Sequence, residues 1–338
     1  MPPKAMCTGA LPTVSTVLDA AAATLETAGI GSCHRLCCAL SGGVDSAVLL
    51  DVLDTLRQRF GYVLEVAHVH HGLNPAADGW QDFCTNLCRR RGIPLHGFRV
   101  AVARDHPGGL EEAARIVRHA ALSRVDCDWL VLGHHRDDQA ETVLFRLLRG
   151  AGVRGAAAMS AIEPPDASGR VGRLRPLLEI GREEILAYAQ EKNLDWIDDI
   201  SNDDPRFTRN DLRHRILPAI ETRFPAARLT LARAAVHFRE AAGLLDELAR
   251  IDAAAAACEG EEDGQRVFSR AFLLELSPER LANLFRWELR RLGMKPPTTA
   301  RLAEALRQLR ATPGPLCLPL GDFACYSRRG RVWLAPED

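Results

Sequence analysis

Ser41-Gly42-Gly43-Val44-Asp45-Ser46 places two glycines, two hydroxyls and one carboxylate between an apolar run, Cys33 to Leu40, and a segment with helical spacing. The run before it has the length and composition of a buried strand. After it, Val48, Leu49, Val52, Leu53 and Leu56 recur at helical intervals. A strand that ends in Ser-Gly-Gly and opens a helix gathers backbone N–H groups around one point. The positive end of the helix dipole is aimed there too, and such an arrangement binds phosphate. Glycine leaves no side chain in the anion's way. Asp45 would repel a phosphate unless a cation lay between them, so it predicts a Mg²⁺–nucleotide site with Asp45 as the metal contact. The plainer alternative is a Gly-rich βα turn capped by Asp45 and Ser46. The run is not a Walker A loop, because no Gly-Lys-Ser/Thr follows a four-residue gap.

A second constellation is Gly133-His-His-Arg-Asp-Asp-Gln-Ala-Glu-Thr142. It leads into a helix whose expected buried stripe is Val143, Leu144, Leu147 and Leu148. Asp138 and Glu141 are three apart and share one helix face. Acids at a helix start complement its dipole, which explains one or two of them but not a third beside two histidines. Arg115 and Arg118, also three apart, flank an Ile116/Val117/Ala120 stripe and are candidate phosphate donors or members of a solvated face. Arg149 and Arg154 edge the string Gly150-Ala-Gly-Val-Arg-Gly155. It follows a helix rather than a strand, so it reads as a nucleic-acid-contacting loop or a helix stop, not a dinucleotide fingerprint. Arg209 and Arg213, at i,i+4, project the same way.

These groups need a scaffold. Strands are expected at Cys33–Leu40, Tyr62–Val69, Leu95–Val100 and Trp129–Gly133, alternating with helices at Ser46–Phe60, Ala76–Arg91 and Gly109–Val125. Such alternation implies an α/β fold, a parallel sheet with helices on both faces. Ligands bind such sheets at the carboxyl ends of the strands, where the Ser41 loop, His70-His71-Gly72 and Gly133-His134-His135 all fall. Further helices are expected at Ser15–Ala28, Arg182–Lys192, Asp211–Arg223 and Pro225–Ala257, with a loop over Glu163–Gly172. The acidic stretch Glu259-Gly-Glu-Glu-Asp-Gly264 then reads as a boundary. Beyond it come helices Pro278–Leu292 and Thr299–Arg310 and a hairpin of Leu316–Leu318 with Ala324–Leu334. The expected division is 1–222, a linking helix and boundary at 223–260, and a smaller, mainly helical domain at 261–338.

Bulk composition adds bounds. The 338 residues suit two domains, and 47% hydrophobic content suits a real core. No apolar stretch approaches the roughly 20 residues that span a bilayer, and the N-terminus is a poor signal peptide. The ten scattered cysteines form no Cys-x-x-Cys, so they read as reduced thiols in a cytoplasmic protein. Net charge is −1, yet Arg206–Arg239 holds eight Arg against two acids and Gln265–Thr312 ten Lys or Arg against four Glu. Two such segments would make a polyanion footprint on a neutral chain; solvated helix faces are the alternative.

Taken in order, these pieces resemble the tRNA(Ile)-lysidine synthase family, within the PP-loop, N-type ATP pyrophosphatases. The matching elements are SGGVDS, HVHHGL at His68–Leu73, GLEEAARIVRHAAL at Gly109–Leu122, GHHRDDQAETVLFRLLRGAG at Gly133–Gly152, RPLLEI at Arg175–Ile180, and WIDDISND with RNDLRH between Trp196 and His214. Past residue 225 no motif is recognised. The family's small helical domain suits that region, and the chain is expected to be too short for the further C-terminal domain of some members. The resemblance implies that ATP adenylates the C2 oxygen of the wobble cytidine in a CAU-anticodon isoleucine tRNA, releasing pyrophosphate. Free L-lysine then displaces AMP. It assigns Ser41–Ser46 to ATP, Asp45 to Mg²⁺, Arg115 to the α-phosphate, Asp138 and Glu141 to lysine, and Arg149, Arg154, Arg209 and Arg213 to tRNA. Homodimer formation is left open. A 2-thiocytidine synthetase would bring cysteine pairs, an amidotransferase a nucleophilic Cys with a His, and a non-catalytic binder no use for three acids.

Overall fold

A continuous apolar run, buried on both faces, puts β1 (Arg35–Ala39) at the centre of a sheet. In the computed structural model, which describes residues 14–107, 109–165, 169–198, 208–262, 264–294 and 297–337, β1 pairs in parallel with β2 (Val63–His70) and β4 (Trp129–Val131). β3 (Leu95–Arg99) continues the sheet beyond β2, and β6 (Gly172–Leu174) continues it in parallel beyond β4. The short β5 (Ile162–Glu163) ends that edge antiparallel, giving the order β3-β2-β1-β4-β6-β5. Alternate residues serve opposite layers. Leu36, Cys38, Leu64, Val66, Trp129 and Val131 pack with α1 (Val14–Thr27), α2 (Val44–Phe60), α3 (Ala77–Arg91) and α7 (Arg182–Glu191). Cys37, Ala67, Leu130 and Leu132 pack with Leu122 of α4 (Gly109–Leu122) and Val125. The expected α/β class, with helices on both faces, is what forms.

Strand order reverses between β1 and β4, so the crevice outside their carboxyl ends is where such sheets take ligands. α2 is well fixed there. Asp45 lies in its first turn, Arg57 and Arg59 in its last, and Gly61 caps it at φ 78° with its N–H donated to Arg57 O. Leu49, Leu50 and Leu53 are fully buried, each contributing roughly 1.5–3 kcal/mol. The turn before α2 requires glycine: Gly42 has φ 96°, and a Cβ there would lie 2.6 Å from Ile197 Cδ1. Gly42→Ala is therefore expected to destabilise the fold by roughly 1–3 kcal/mol and to weaken nucleotide binding. Denaturant titration and nucleotide titration check this; no change in either would mean the turn tolerates another shape.

Two stretches differ from the expectation. The loop expected over Glu163–Gly172 is bounded by β5 and β6, strands too short to carry a periodic signal. The chain divides into compact units Met1–His237 and Phe238–Asp338, and the division falls within α10 (Ala227–Ala256). The acidic stretch read as a boundary belongs to the second unit, as β7 (Ala257–Glu262). β7 is the edge of a five-stranded antiparallel sheet ordered β7-β8-β11-β10-β9, with β8 (Gln265–Ser269), β9 (Leu316–Pro319), β10 (Phe323–Arg328) and β11 (Arg331–Pro336). Glu259, Glu261 and Glu262 on an edge strand discourage pairing with another chain. The expected helices are present as α12 (Pro278–Arg291) and α13 (Thr299–Ala311), capped by Ser277 and Thr298, and α11 (Arg270–Glu275) precedes them. Phe268, Phe285, Leu302 and Leu334 share the core between these helices and the sheet. Strand content thus exceeds the single hairpin expected. No helix among the described residues is long and apolar enough to cross a membrane, and the nine described cysteines are all free.

Candidate functional site

The Ser41 loop is held in shape by its own last residue. Ser41 and Gly42 donate their N–H groups to Ser46 Oγ, both at 3.2 Å, and the Ser46 hydroxyl donates to Gly43 O at 2.9 Å. Gly43 donates its N–H to Ser41 Oγ at 3.4 Å, so three of the loop's amides are engaged within the turn itself. The first-turn amides of Val44 and Asp45 remain without a side-chain cap, because Gly43 is the N-cap residue. Ile197 donates its N–H to Gly42 O at 2.9 Å, bringing the start of the Trp196 motif against the loop. The rest of that motif, 199–207, lies outside the described residues.

β4 delivers the second constellation beside the first. A Cβ on Gly133 would meet Asp45 O at 3.2 Å, so glycine is what lets the end of β4 approach α2 closely. His135 caps α5 (Arg136–Leu148): its Nδ1 accepts from Asp137 N–H at 3.2 Å, and its own N–H donates to Asp138 Oδ2 at 3.1 Å. With Nδ1 accepting, the ring proton is assigned to Nε2. Nε2 lies 3.4 Å from Asp138 Oδ2 and 3.8 Å from Asp45 Oδ1, so one buried imidazole stands between the loop carboxylate and the helix carboxylate. Burial pushes Asp45 above the usual carboxylate range, against the pull of His135 and of Arg182, whose Nη1 is 3.6 Å away. Asp45 Oδ1 is buried and has no hydrogen-bond partner among the described residues. Burial would raise Asp138 likewise, but His135, His134 and Arg213 outweigh it and hold that carboxyl below its usual range.

Several expected roles move. Arg209 and Arg213 project the same way, as their spacing predicts, but onto α5 rather than to a tRNA-facing surface. They lie on α8 (Thr208–Asp211) and on the π-helical turn Leu212–Ile216 that joins it to α9 (Leu217–Glu221). Arg213 donates from Nε to Glu141 Oε1 at 2.6 Å and from Nη2 to Glu141 Oε2 at 3.0 Å and Asp138 Oδ1 at 2.9 Å. Arg209 donates to Thr142 Oγ1 at 2.8 Å. Glu141 is 0% exposed and fully engaged by Arg213, so it is not open to a lysine ammonium. The reason is electrostatic: a desolvated carboxylate needs a fixed cation, and a fork-shaped guanidinium serves best. Of the buried stripe expected on α5, Val143 is fully buried and Leu144 half-buried, but its last two members are exposed. Gln139 through Val143 are buried and Asp137 and Asp138 half-buried, while Leu147 and Leu148 are 40% and 67% exposed.

Arg115, expected at the α-phosphate, is exposed and ion-paired to Glu112 at 2.8 Å. Its neighbour Arg118 is the inward one, and its buried Nε has no partner among the described residues. The expected Ile116/Val117/Ala120 stripe is out of phase: α4 buries Ala113, Ala121 and Leu122 and leaves Ile116 47% exposed. Arg149 lies over the Phe145 ring at 5.1 Å, and Arg154 is exposed on α6 (Val153–Ala156). Gly150, at φ 74°, follows the helix-ending Arg149. Arg118 is the other of the two candidate phosphate donors, whereas His135 is expected only as part of a strand end and Arg182 only as a helix start. A histidine at an N-cap just before two aspartates was the available signal for His135. Around them, burial and nearby arginines push the His134 imidazole down to about 3 and that of His119 to about 4.

Mg²⁺ suits this arrangement without a protein cage. Among the described residues no three His, Cys, Asp or Glu side chains converge on a metal position. Mg²⁺ commonly takes one or two carboxylates plus substrate phosphates, and Asp45 Oδ1, without a hydrogen-bond partner among the described residues, would supply one such carboxylate oxygen.

Known proteins share both parts of the chain. Residues 18–220 match the PP-loop domain family and residues 268–333 the TilS substrate binding domain family. A tRNA(Ile)-lysidine synthase of Aromatoleum aromaticum is 58% identical across 93% of this chain and 71% of its own length. One of an Azoarcus species is 55% identical across 94% and 69%. Among solved structures, the U34-tRNA thiolase NcsA of Methanococcus maripaludis matches with a TM-score of 0.56 at 20% identity, over 67% of this chain and 78% of that one, a likeness of fold. With its PP-loop, its second domain and this identity to named members, the chain belongs to the tRNA(Ile)-lysidine synthase family.

Proposed function

We propose that this protein is an ATP-dependent ligase that forms lysidine on tRNA(Ile), joining free L-lysine to the wobble cytidine of a CAU anticodon in the cytoplasm. The observation that carries the reading is the His135 Nε2–H group placed between Asp45 and Asp138, which joins a nucleotide loop to an acidic helix in one centre. In the first step the C2 oxygen of cytidine attacks the α-phosphorus of ATP and pyrophosphate leaves. The α2 N-terminus holds the departing phosphates, and Asp45 would hold Mg²⁺, which would supply charge neutralisation there. Arg118, rather than Arg115, stabilises charge at the α-phosphate. In the second step the ε-amine of lysine displaces AMP.

Asp138 is the carboxylate assigned to lysine, and Glu141 holds the Arg213 that orients it. An ammonium loses its proton at pH 7 at a cost of about 4.6 kcal/mol, from a pKa near ~10.4. A carboxylate that binds it favours the charged form, so Asp138 accepts the proton only once the activated base is in place. Arg149 and Arg154, both exposed, are assigned to the tRNA backbone.

Lysine incorporation into CAU-bearing transcripts tests the reading. Isoleucine tRNA is expected to be modified and methionine tRNA to be spared; pyrophosphate release without lysine incorporation on either would overturn it. Asp138→Asn is expected to slow lysine transfer about 10²–10⁴-fold while slowing adenylation far less. Single-turnover measurement of AMP-tRNA formation and decay separates the steps, and equal loss in both would remove Asp138 from the role assigned to it.

A further inference from the structure

His134 and Arg175 extend from the carboxyl ends of neighbouring strands, since Val131 of β4 pairs with Leu174 of β6. Arg175 Nε donates to His134 Nδ1 at 3.3 Å. A guanidinium has no lone pair to offer and keeps its charge at any working pH, so Nδ1 must be the bare nitrogen and Nε2 the protonated one. Arg175 is itself locked. It is 6% exposed, and its Nη1 donates to Ser160 O at 2.6 Å and Glu163 Oε1 at 2.7 Å. Burial is the main cause that disfavours the charged imidazole; of the charged groups facing His134, Asp138 opposes it, and Arg175, Arg118 and Arg209 reinforce it. The imidazole therefore stays neutral, which unfits it as an acid–base group and suits it as a fixed donor.

We infer that His134 is a neutral hydrogen-bond donor that offers Nε2–H to an oxygen of the reacting group, and that Arg175, anchored by Glu163, is the positioning residue that sets its tautomer. This rests on the proposed reading that the crevice beyond β1 and β4 holds the cytidine and the transferred phosphate. A preorganised donor aimed at developing oxygen charge typically contributes about 10²–10³-fold to rate.

Nitrogen NMR of the wild-type ring tests the tautomer directly. Protonated Nε2 and bare Nδ1, unchanged from pH 5 to 9, are expected; a ring that titrates in this range, or one protonated on Nδ1, overturns the inference. Arg175→Met should let His134 titrate nearer the ordinary ~6.5 and give adenylation a new acidic limb in its pH profile, with the rate recovering above it. His134→Gln, whose amide can still donate, should keep adenylation within about tenfold of wild type, whereas His134→Leu should lose about 10²-fold. Equal losses in the two variants would overturn the donor role even if Arg175→Met does not fold. Lysine incorporation by the wild-type protein stands apart from all of these: its absence would sink the proposed function and leave the ring's tautomer still measurable.

Discussion

Asp45→Asn is expected to abolish pyrophosphate release and, at the same time, to make the nucleotide-free protein more heat-resistant. The first effect follows from losing the carboxylate beside the phosphates. A metal clamp on a transferring phosphoryl group is worth several kcal/mol, so a loss of about 10³-fold or more is expected. The second follows from the cost of keeping this carboxylate ionised. Burial holds its pKa in the folded protein above the unfolded value, so the folded state binds the proton more tightly. Stability from this group is therefore full below the ordinary carboxylate pKa and falls as pH rises through the folded value. The variant's advantage should be absent in acid, grow across that window and level off above it. Thermal melts from acid to neutral pH check this. Adding Mg²⁺ and ATP should reverse the order, because only the wild type binds the metal well. An Asp45→Asn protein that melts below wild type at neutral pH without ligand would show that the carboxylate is serving α2 as a dipole partner instead.

Arg213→Met should be the most damaging single change to the fold near the site. Glu141 is completely buried, and with Arg213 gone it keeps, among the described residues, only Arg209 at 3.9 Å. Breaking one side of a buried ion pair typically costs about 3–5 kcal/mol, a large share of the roughly 5–15 kcal/mol that holds a domain together. The double variant Arg213→Met with Glu141→Gln removes the stranded charge and should recover much of that loss. Denaturant titration of the two singles and the double gives the coupling directly. Additive effects would mean that the contact carries little energy. The double variant should still be a poor lysine-transferring enzyme, because Asp138 loses the guanidinium that holds its Oδ1.

The legible parts of this fold are those with a strong local period. Strands β1 to β4 and helices α2 to α4 follow from alternation and helical spacing, and Gly61 and Gly92 mark helix ends with φ 78° and 64°. β5 and β6 were not legible, because two and three residues carry no period. β7 was hidden by its acids, which read as linker and act as edge protection. In the site, the Ser41 loop and the acidic helix were found by residue type alone. Their proximity followed from strand order, but the partner of each charge did not. Arg209 and Arg213 gave a shared direction from spacing, yet nothing local said that α5 lay opposite. The choice between Arg115 and Arg118 turned on the phase of α4, where alanines at 113 and 121 are buried and Ile116 is not. Small residues at a helix–sheet contact carry too weak an apolar signal to fix that phase.

The shared imidazole proton of His135 has an energetic corollary. Its Nε2–H lies 3.4 Å from Asp138 Oδ2 and 3.8 Å from Asp45 Oδ1 without a hydrogen bond to either, so both acids feel the same ring dipole and neutralising one leaves it to polarise the other. Seating a divalent cation on Asp45 thereby alters how readily Asp138 accepts an ammonium, and by reciprocity an amino-acid guest changes the cation's affinity by the same factor. With the cation at Asp45 and the amino acid at Asp138, as proposed, the two guests would sense each other through a single ring before any covalent bond is made.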